Sequence, residues 1–221
     1  MSRHYLLLYN TLSLLSWTYL TARLLSHFVA PTPTTGDAEA EAAAATNLAL
    51  VTAVQSAAAL EILHAALGLV RASPGAAAVQ IGGRNLVVWT VMRRFPDLVV
   101  FGYGDGYGYG PVAFRSCLLV WGCSDVLRYS LFVVMLVWGS APGWLRWLRY
   151  SAFIVLYPIG FVSEASLVYL SLVEARGIGP FYRGYLFVGL LSYIPASYFL
   201  YTYMFSQRRQ ALGQKGRVKN T

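Results

Sequence analysis

Long apolar runs separated by short polar connectors dominate this chain. A helix that crosses a bilayer needs about 20 mostly apolar residues to span about 30 Å of hydrocarbon. Six stretches meet that need, near Tyr5 to Val29, Thr46 to Val70, Ala76 to Met92, Cys117 to Trp138, Leu148 to Val173 and Tyr185 to Phe205. The pattern predicts an all-α, polytopic membrane protein with six transmembrane helices in one bundle. Residues 1–221 then form a single membrane domain, and 206–221 form its tail. The third stretch is the shortest; Gly82, Gly83 and Arg84 within it suggest a tilted or partly re-entrant segment. The first is too long for a signal-peptide core and is interrupted by Arg23, so it reads as an uncleaved span.

The connectors fit the same parse. Pro31 to Ala45 is rich in Pro and Thr, then acidic and Ala-rich. Phe101 to Pro111 alternates Gly and Tyr, and no Lys-Ser/Thr follows to make a phosphate cradle. Ala141-Pro-Gly143 and Gly177-Ile-Gly-Pro180 are turn signals.

Composition sharpens the membrane reading. Hydrophobic residues make up 57% of the chain and charged ones 12%, too apolar a balance for a water-soluble fold of this size. The net charge of +8 sits mostly in connectors and tail, so it points to anionic lipid headgroups and topology, not to nucleic acid. With the first residue cytosolic, that side carries Arg3, Arg71, Arg146, Arg149, Arg208, Arg209, Lys215, Arg217 and Lys219. The opposite side carries Arg93, Arg94, Arg115, Arg176 and Arg183. The balance predicts both termini in the cytosol. Cys117 and Cys123 fall on poorly matched helix faces, which argues against a disulfide. Cys123 and Arg128 are one residue too close for a tyrosine-phosphatase loop.

The informative residues are the ionisable groups inside apolar stretches: Glu61, His64, Arg84, Asp125, Arg128 and Glu164. A charge at the bilayer centre costs roughly 2.5–3.5 kcal/mol even on lenient scales, so such groups pair, face a wet cavity or do chemistry. Glu61 and His64 share a helix face at i, i+3, either as a helix-locking polar pair or as half of a carboxylate metal site. The motif occurs once where a metal site needs it twice, so no metal is assigned. Asp125 and Arg128 have the same spacing and suit either a salt bridge or a basic group assisting an anionic ligand. Tyr157 and Glu164 lie almost two turns apart on one face, about 10 Å along the axis, with Pro158 between them. A local kink at the proline would bring both toward one substrate. A carboxylate that takes a carbon acid's proton and a phenol that protonates a leaving hydroxyl make an elimination. The competing structural reading pairs Glu164 with Arg84 or Arg128.

Longer motifs run in order along nearly the whole chain. They are Tyr5-Leu-Leu-Leu-Tyr-Asn10 with Trp17, Leu60-Glu-Ile-Leu-His64 through Ser73, Gln80-Ile-Gly-Gly-Arg84, Trp121 with Arg128-Tyr-Ser130, and Leu148-Arg-Tyr-Ser151. Leu156-Tyr-Pro-Ile-Gly160, Glu164, Tyr193-Ile-Pro195, Tyr203-Met204 and Gln207-Arg-Arg209 follow. In these the sequence resembles the 3-hydroxyacyl-CoA dehydratase family, also called protein tyrosine phosphatase-like proteins. The resemblance implies a six-span enzyme of the endoplasmic reticulum membrane with both termini cytosolic. It implies the third step of very-long-chain fatty acid elongation, from (3R)-3-hydroxyacyl-CoA to trans-2-enoyl-CoA. The family's catalytic Tyr and Glu fall on Tyr157 and Glu164, with Arg84, Asp125, Arg128, Glu61 and His64 as supporting or substrate-binding candidates. The chain departs from the family in carrying Asp125 where Glu is usual.

The expected mechanism is a β-elimination that needs no metal or redox cofactor. The acyl chain would lie among apolar helix faces in a cleft open to the cytosol, with the CoA phosphates near Arg71, Arg146 and Arg149. Glu164 would take the α-proton and Tyr157 would protonate the hydroxyl, the reverse assignment remaining open. Expected partners are the acyl-CoA substrate, membrane lipid, and the condensing enzyme, ketoacyl reductase and enoyl reductase of the cycle. The alternative is a catalytically inactive membrane scaffold that recruits elongation or trafficking partners. A small-solute transporter would predict related halves, and the first three spans do not resemble the last three.

Overall fold

The computed structural model describes residues 2–29, 38–70, 72–102 and 108–213. Among them the chain is almost wholly helical and has no strand. In chain order the helices are α1 (Ser2–Val29), α2 (Ala38–Ala58), α3 (Leu60–Ala66) and α4 (Pro74–Val87). After them come α5 (Tyr109–Trp138), α6 (Gly143–Ser151), α7 (Phe153–Glu174) and α8 (Pro180–Gly213). Four helical runs are long and apolar enough to cross a membrane: Ala38–Ala66, Tyr109–Trp138, Gly143–Gly177 and Pro180–Gly213. The first and third stretches of the sequence do form helices, but they do not reach that combined length and apolarity. In α1 a steady supply of Asn, Ser and Thr between the leucines dilutes the apolar character.

Local chemistry explains where the helices begin and end. Most of the acidic, Ala-rich part of the first connector is not a loop; α2 starts at Ala38. Alanine is the best helix former, and Glu39 and Glu41 sit in the first turn, where the helix dipole favours negative charge. The second run ends at Ala66, not at Val70, because Gly68 turns the backbone into the left-handed region at φ 69°. Ser73 caps α4, its hydroxyl accepting from Ala76 N–H, and Pro74 occupies the first turn where its missing N–H costs nothing. α4 runs on as a π-helical turn through Val88–Met92, so the third stretch is a continuous helix. A second π-helical turn, Asp97–Phe101, buries Leu98, Val99 and Val100 in a region that carries no span in the sequence parse. The interruption between α6 and α7 falls at Ala152, and α7 itself runs unbroken past Pro158.

α5 is the central helix. It packs against α1 on one side and α7 on another, and α8 in turn packs on α7. The core gathers Trp17, Leu20 and Leu24 of α1, Phe114, Cys117, Leu118, Trp121 and Tyr129 of α5, and Leu167 and Val168 of α7. α1 and α5 approach closely at Gly122, where an added methyl would overlap the Thr21 hydroxyl. Three contacts show which termini share an end. Arg3 Nη2 donates to the Leu136 carbonyl at 2.7 Å, Tyr5 Oη meets His64 Nε2 at 2.9 Å, and Arg208 Nε donates to Ser151 Oγ at 3.2 Å. The first turns of α1, the end of α3 and the last turn of α5 therefore lie together, and α6 meets the C-terminal part of α8.

Candidate active site

The intramembrane charges converge between α1, α3, α4, α5, α7 and α8. Asp125 is 3% exposed and sits at the centre of an ion-pair chain. Its Oδ2 lies 2.7 Å from Arg84 Nη1 and its Oδ1 lies 3.0 Å from Arg128 Nη2. Arg128 also grips Glu61 with both terminal nitrogens, at 2.5 Å and 3.0 Å. Tyr129 Oη donates to Glu61 Oε1 as well, and Tyr9 Oη lies at 3.5 Å from the same oxygen. A buried polar group left without such partners would cost on the order of 1–3 kcal/mol, so the network is what permits four charges in an apolar bundle.

The pairings are wider than the spacing suggests. Glu61 and His64 lock helices together, each through a partner on another helix: Glu61 turns to Arg128, and His64 to Tyr5 and the Tyr9 ring, 4.9 Å away. Asp125 and Arg128 do pair, but each also has a second partner of opposite charge. Among the described residues no three His, Cys, Asp or Glu side chains gather as a metal ion would require.

Arg84 links this network to the second half of the site. Its guanidinium lies 4.3 Å from the Trp121 ring centre and 5.2 Å from that of Trp17. Desolvated cation–π contacts of this kind are worth about 2 kcal/mol or more. Arg84 Nε and Nη2 are buried and find no hydrogen-bond partner among the described residues. On its other edge Trp121 donates Nε1–H to Glu164 Oε1 at 2.7 Å, and Tyr193 donates to Glu164 Oε2 at 3.1 Å. Both oxygens of Glu164 thus accept from neutral donors. Arg84 and Arg128, its expected structural partners, are committed to Asp125 and Glu61.

Tyr157 and Glu164 both reach toward α8 from one face of α7. Tyr157 Oη donates to the Ser197 carbonyl at 3.3 Å, and its ring stacks on Tyr201 with centres 5.5 Å apart. The contacts descend α8 in step with α7, Glu164 to Tyr193 and Tyr157 to Ser197. Each residue is partly buried. Trp121, Tyr193, Tyr129, Tyr9 and Trp17 are the site residues that a search for misplaced charges misses, because neutral donors leave no such mark in a sequence. Arg71 lies outside the described residues.

The family model for "Protein tyrosine phosphatase-like protein, PTPLA" matches residues 55–214. The chain is 35% identical to the very-long-chain (3R)-3-hydroxyacyl-CoA dehydratase PASTICCINO 2A of Oryza sativa subsp. japonica, over 72% of this chain and 74% of that protein. It is 33% identical to PASTICCINO 2 of Arabidopsis thaliana, which bears the same enzyme name, over 97% of this chain and 96% of that protein. A probable very-long-chain (3R)-3-hydroxyacyl-CoA dehydratase of Schizosaccharomyces pombe is 32% identical, with 73% of each chain covered. No solved structure matches. The family match takes in α3 to α8, and the plant relative extends it through α1 and α2, so this chain belongs to the protein tyrosine phosphatase-like (PTPLA) family.

Proposed function

We propose that this protein is a hydro-lyase that converts (3R)-3-hydroxyacyl-CoA to trans-2-enoyl-CoA in very-long-chain fatty acid elongation. The relatives' names support the activity, and the state of Glu164 supports its place in the chemistry. Glu164 is a carboxylate held inside a membrane bundle by two neutral donors, with no ion pair to it among the described residues. A purely structural glutamate in this position would be expected to take the Arg84 guanidinium, which packs on the same Trp121 ring. Without an ion pair among the described residues, it remains available to accept a proton.

We assign the roles by chemical type: an ionised carboxylate can accept a proton and a neutral phenol can give one. Glu164 takes a proton from C2, the C2=C3 bond forms, and the C3–O bond breaks. Tyr157 gives its proton to the departing hydroxyl, which leaves as water. Return of the Glu164 proton to Tyr157 restores the starting state. Arg84, which shares Trp121 with Glu164, has two buried N–H groups to offer the thioester oxygen as charge builds there. The chemistry calls on no cofactor. Arg146 and Arg149 of α6 and Arg208 and Arg209 of α8 suit the CoA phosphates, the two helices being tied by Arg208 to Ser151.

The setting we propose is the endoplasmic reticulum membrane, with residues 1–221 as one domain of six alternating passes and both termini in the cytosol. The condensing enzyme, ketoacyl reductase and enoyl reductase of the cycle are the natural partners. The test is turnover of a (3R)-3-hydroxyacyl-CoA by purified protein. Tyr157→Phe and Glu164→Gln should each lower it by about 10²–10⁴-fold, the usual worth of a positioned acid or base, with membrane insertion intact. Near-normal turnover by either variant ends the assignment.

A further inference from the structure

We infer that Tyr193 is a positioning residue for the elimination: with Trp121 it clamps the Glu164 carboxylate in the orientation that faces C2 of the substrate. The inference rests on Glu164 acting as the base. A carboxylate on a flexible side chain has two freely rotating terminal bonds, and proton abstraction from carbon needs one of its lone pairs aimed at one C–H bond. Two donors from two different helices remove that freedom. Trp121 Nε1 of α5 holds Oε1 at 2.7 Å, and Tyr193 Oη of α8 holds Oε2 at 3.1 Å. Each oxygen keeps a lone pair, so the carboxylate is oriented without being consumed.

The clamp is itself braced. Trp121 is 4% exposed, and the Arg84 guanidinium lies over its ring. The Tyr193 ring packs edge-on against Phe161, centres 5.8 Å apart, one turn before Glu164 on α7. Tyr193 also sits one helical turn before Ser197, which holds Tyr157. A single face of α8 thereby sets the positions of both proposed catalytic groups.

Tyr193→Phe deletes one hydroxyl and keeps the ring. It should lower kcat by about 10- to 100-fold, the usual effect of a reacting group loosened by a fraction of an ångström to one ångström, and leave KM within about twofold. The control is Glu164→Asp, whose shorter carboxylate has already left the clamp. In that background Tyr193→Phe should cost less than about twofold, because coupled residues are not additive. Trp121→Phe, which keeps a ring for Arg84 and removes the N–H, should behave in the same way. Equal losses in both backgrounds would mean a general structural role and would overturn the inference. Undiminished kcat in Tyr193→Phe, beside an inactive Glu164→Gln, would overturn the clamp and spare the base. An active Glu164→Gln would instead remove the reading on which the clamp depends.

Discussion

Replacing Arg128 by methionine tests the charge network most directly. The guanidinium makes two contacts with Glu61, at 2.5 Å and 3.0 Å, and one with Asp125, at 3.0 Å. The Arg128 and Glu61 side chains are 17% and 16% exposed, and that of Asp125 is 4% exposed. Spacing in the sequence suggests that Asp125 would be stranded by the loss. The structure moves the damage elsewhere: Asp125 keeps Arg84 at 2.7 Å, while Glu61 is left, among the described residues, facing the phenols of Tyr129 and Tyr9. One uncompensated buried charge results, and breaking such a pair typically costs about 3–5 kcal/mol. For a chain of this size about 2–4 °C of melting temperature accompanies each kcal/mol, so Arg128→Met should melt roughly 6–20 °C lower in detergent. Cys123→Ala, a small partly buried thiol without a disulfide, should move it far less. Adding Glu61→Gln to Arg128→Met should recover more than half of the loss, because the stranded charge disappears. Equal melting of Arg128→Met and Cys123→Ala, or strictly additive effects of the two network changes, would refute the pairing.

Three further outcomes are expected. Gly122→Ala should destabilise the bundle by about 1–3 kcal/mol, the usual cost of overpacking, since the new methyl meets the Thr21 hydroxyl; Thr21→Ala in the same chain should return most of it in a detergent melt. Tyr157→Phe and Glu164→Gln should leave that melt nearly unchanged while lowering dehydration by about 10²–10⁴-fold, as neither belongs to the ion-pair chain. A glycosylation acceptor placed in residues 31–37 should be modified in microsomes and one fused after Thr221 should not; modification of the tail fusion would reverse the proposed topology.

The apolar pattern located helices, because lipid-facing and core-facing positions are both apolar, and four of its six stretches fall in helical runs long and apolar enough to cross a membrane. It was weaker at their ends. The left-handed turn at Gly68 shortens the second run, and the Ala-rich segment after Ala38 lengthens the same run at its start. It also passed over Asp97–Phe101, whose five residues are too few for a span yet bury Leu98, Val99 and Val100. At the site, charge was legible and pairing was not. An i, i+3 spacing shows that two groups share a face, but Glu61 and His64 both find their partners on other helices. Which helix supplies a partner depends on packing between segments, 67 residues apart in the case of Glu61 and Arg128. Trp121 and Tyr193 stand in the family motifs, but their role as donors was not legible: nothing in a Trp or Tyr within an apolar run distinguishes a lipid-facing ring from one that holds a carboxylate.

The fit at position 125 follows from the same packing. Aspartate stands there where the resemblance leads one to expect glutamate, and the shorter side chain would be a defect if it had to reach one distant partner. In this bundle both partners come to it. Arg128 approaches from one turn along α5, and Arg84 from α4, so that each carboxylate oxygen faces one guanidinium at 3.0 Å and 2.7 Å. A longer acid would have to fold back to keep both contacts, because Arg84 is already packed against Trp17 and Trp121. Asp125→Glu therefore tests the fit of the carboxylate between its two arginines and not its charge. It should cost about 1–3 kcal/mol by overpacking, and some activity through displacement of Arg84 from Trp121. Full stability and activity in that variant would show that the space around the two arginines is slack, and that the tie from Asp125 through Arg84 to Trp121 plays no part in holding Glu164.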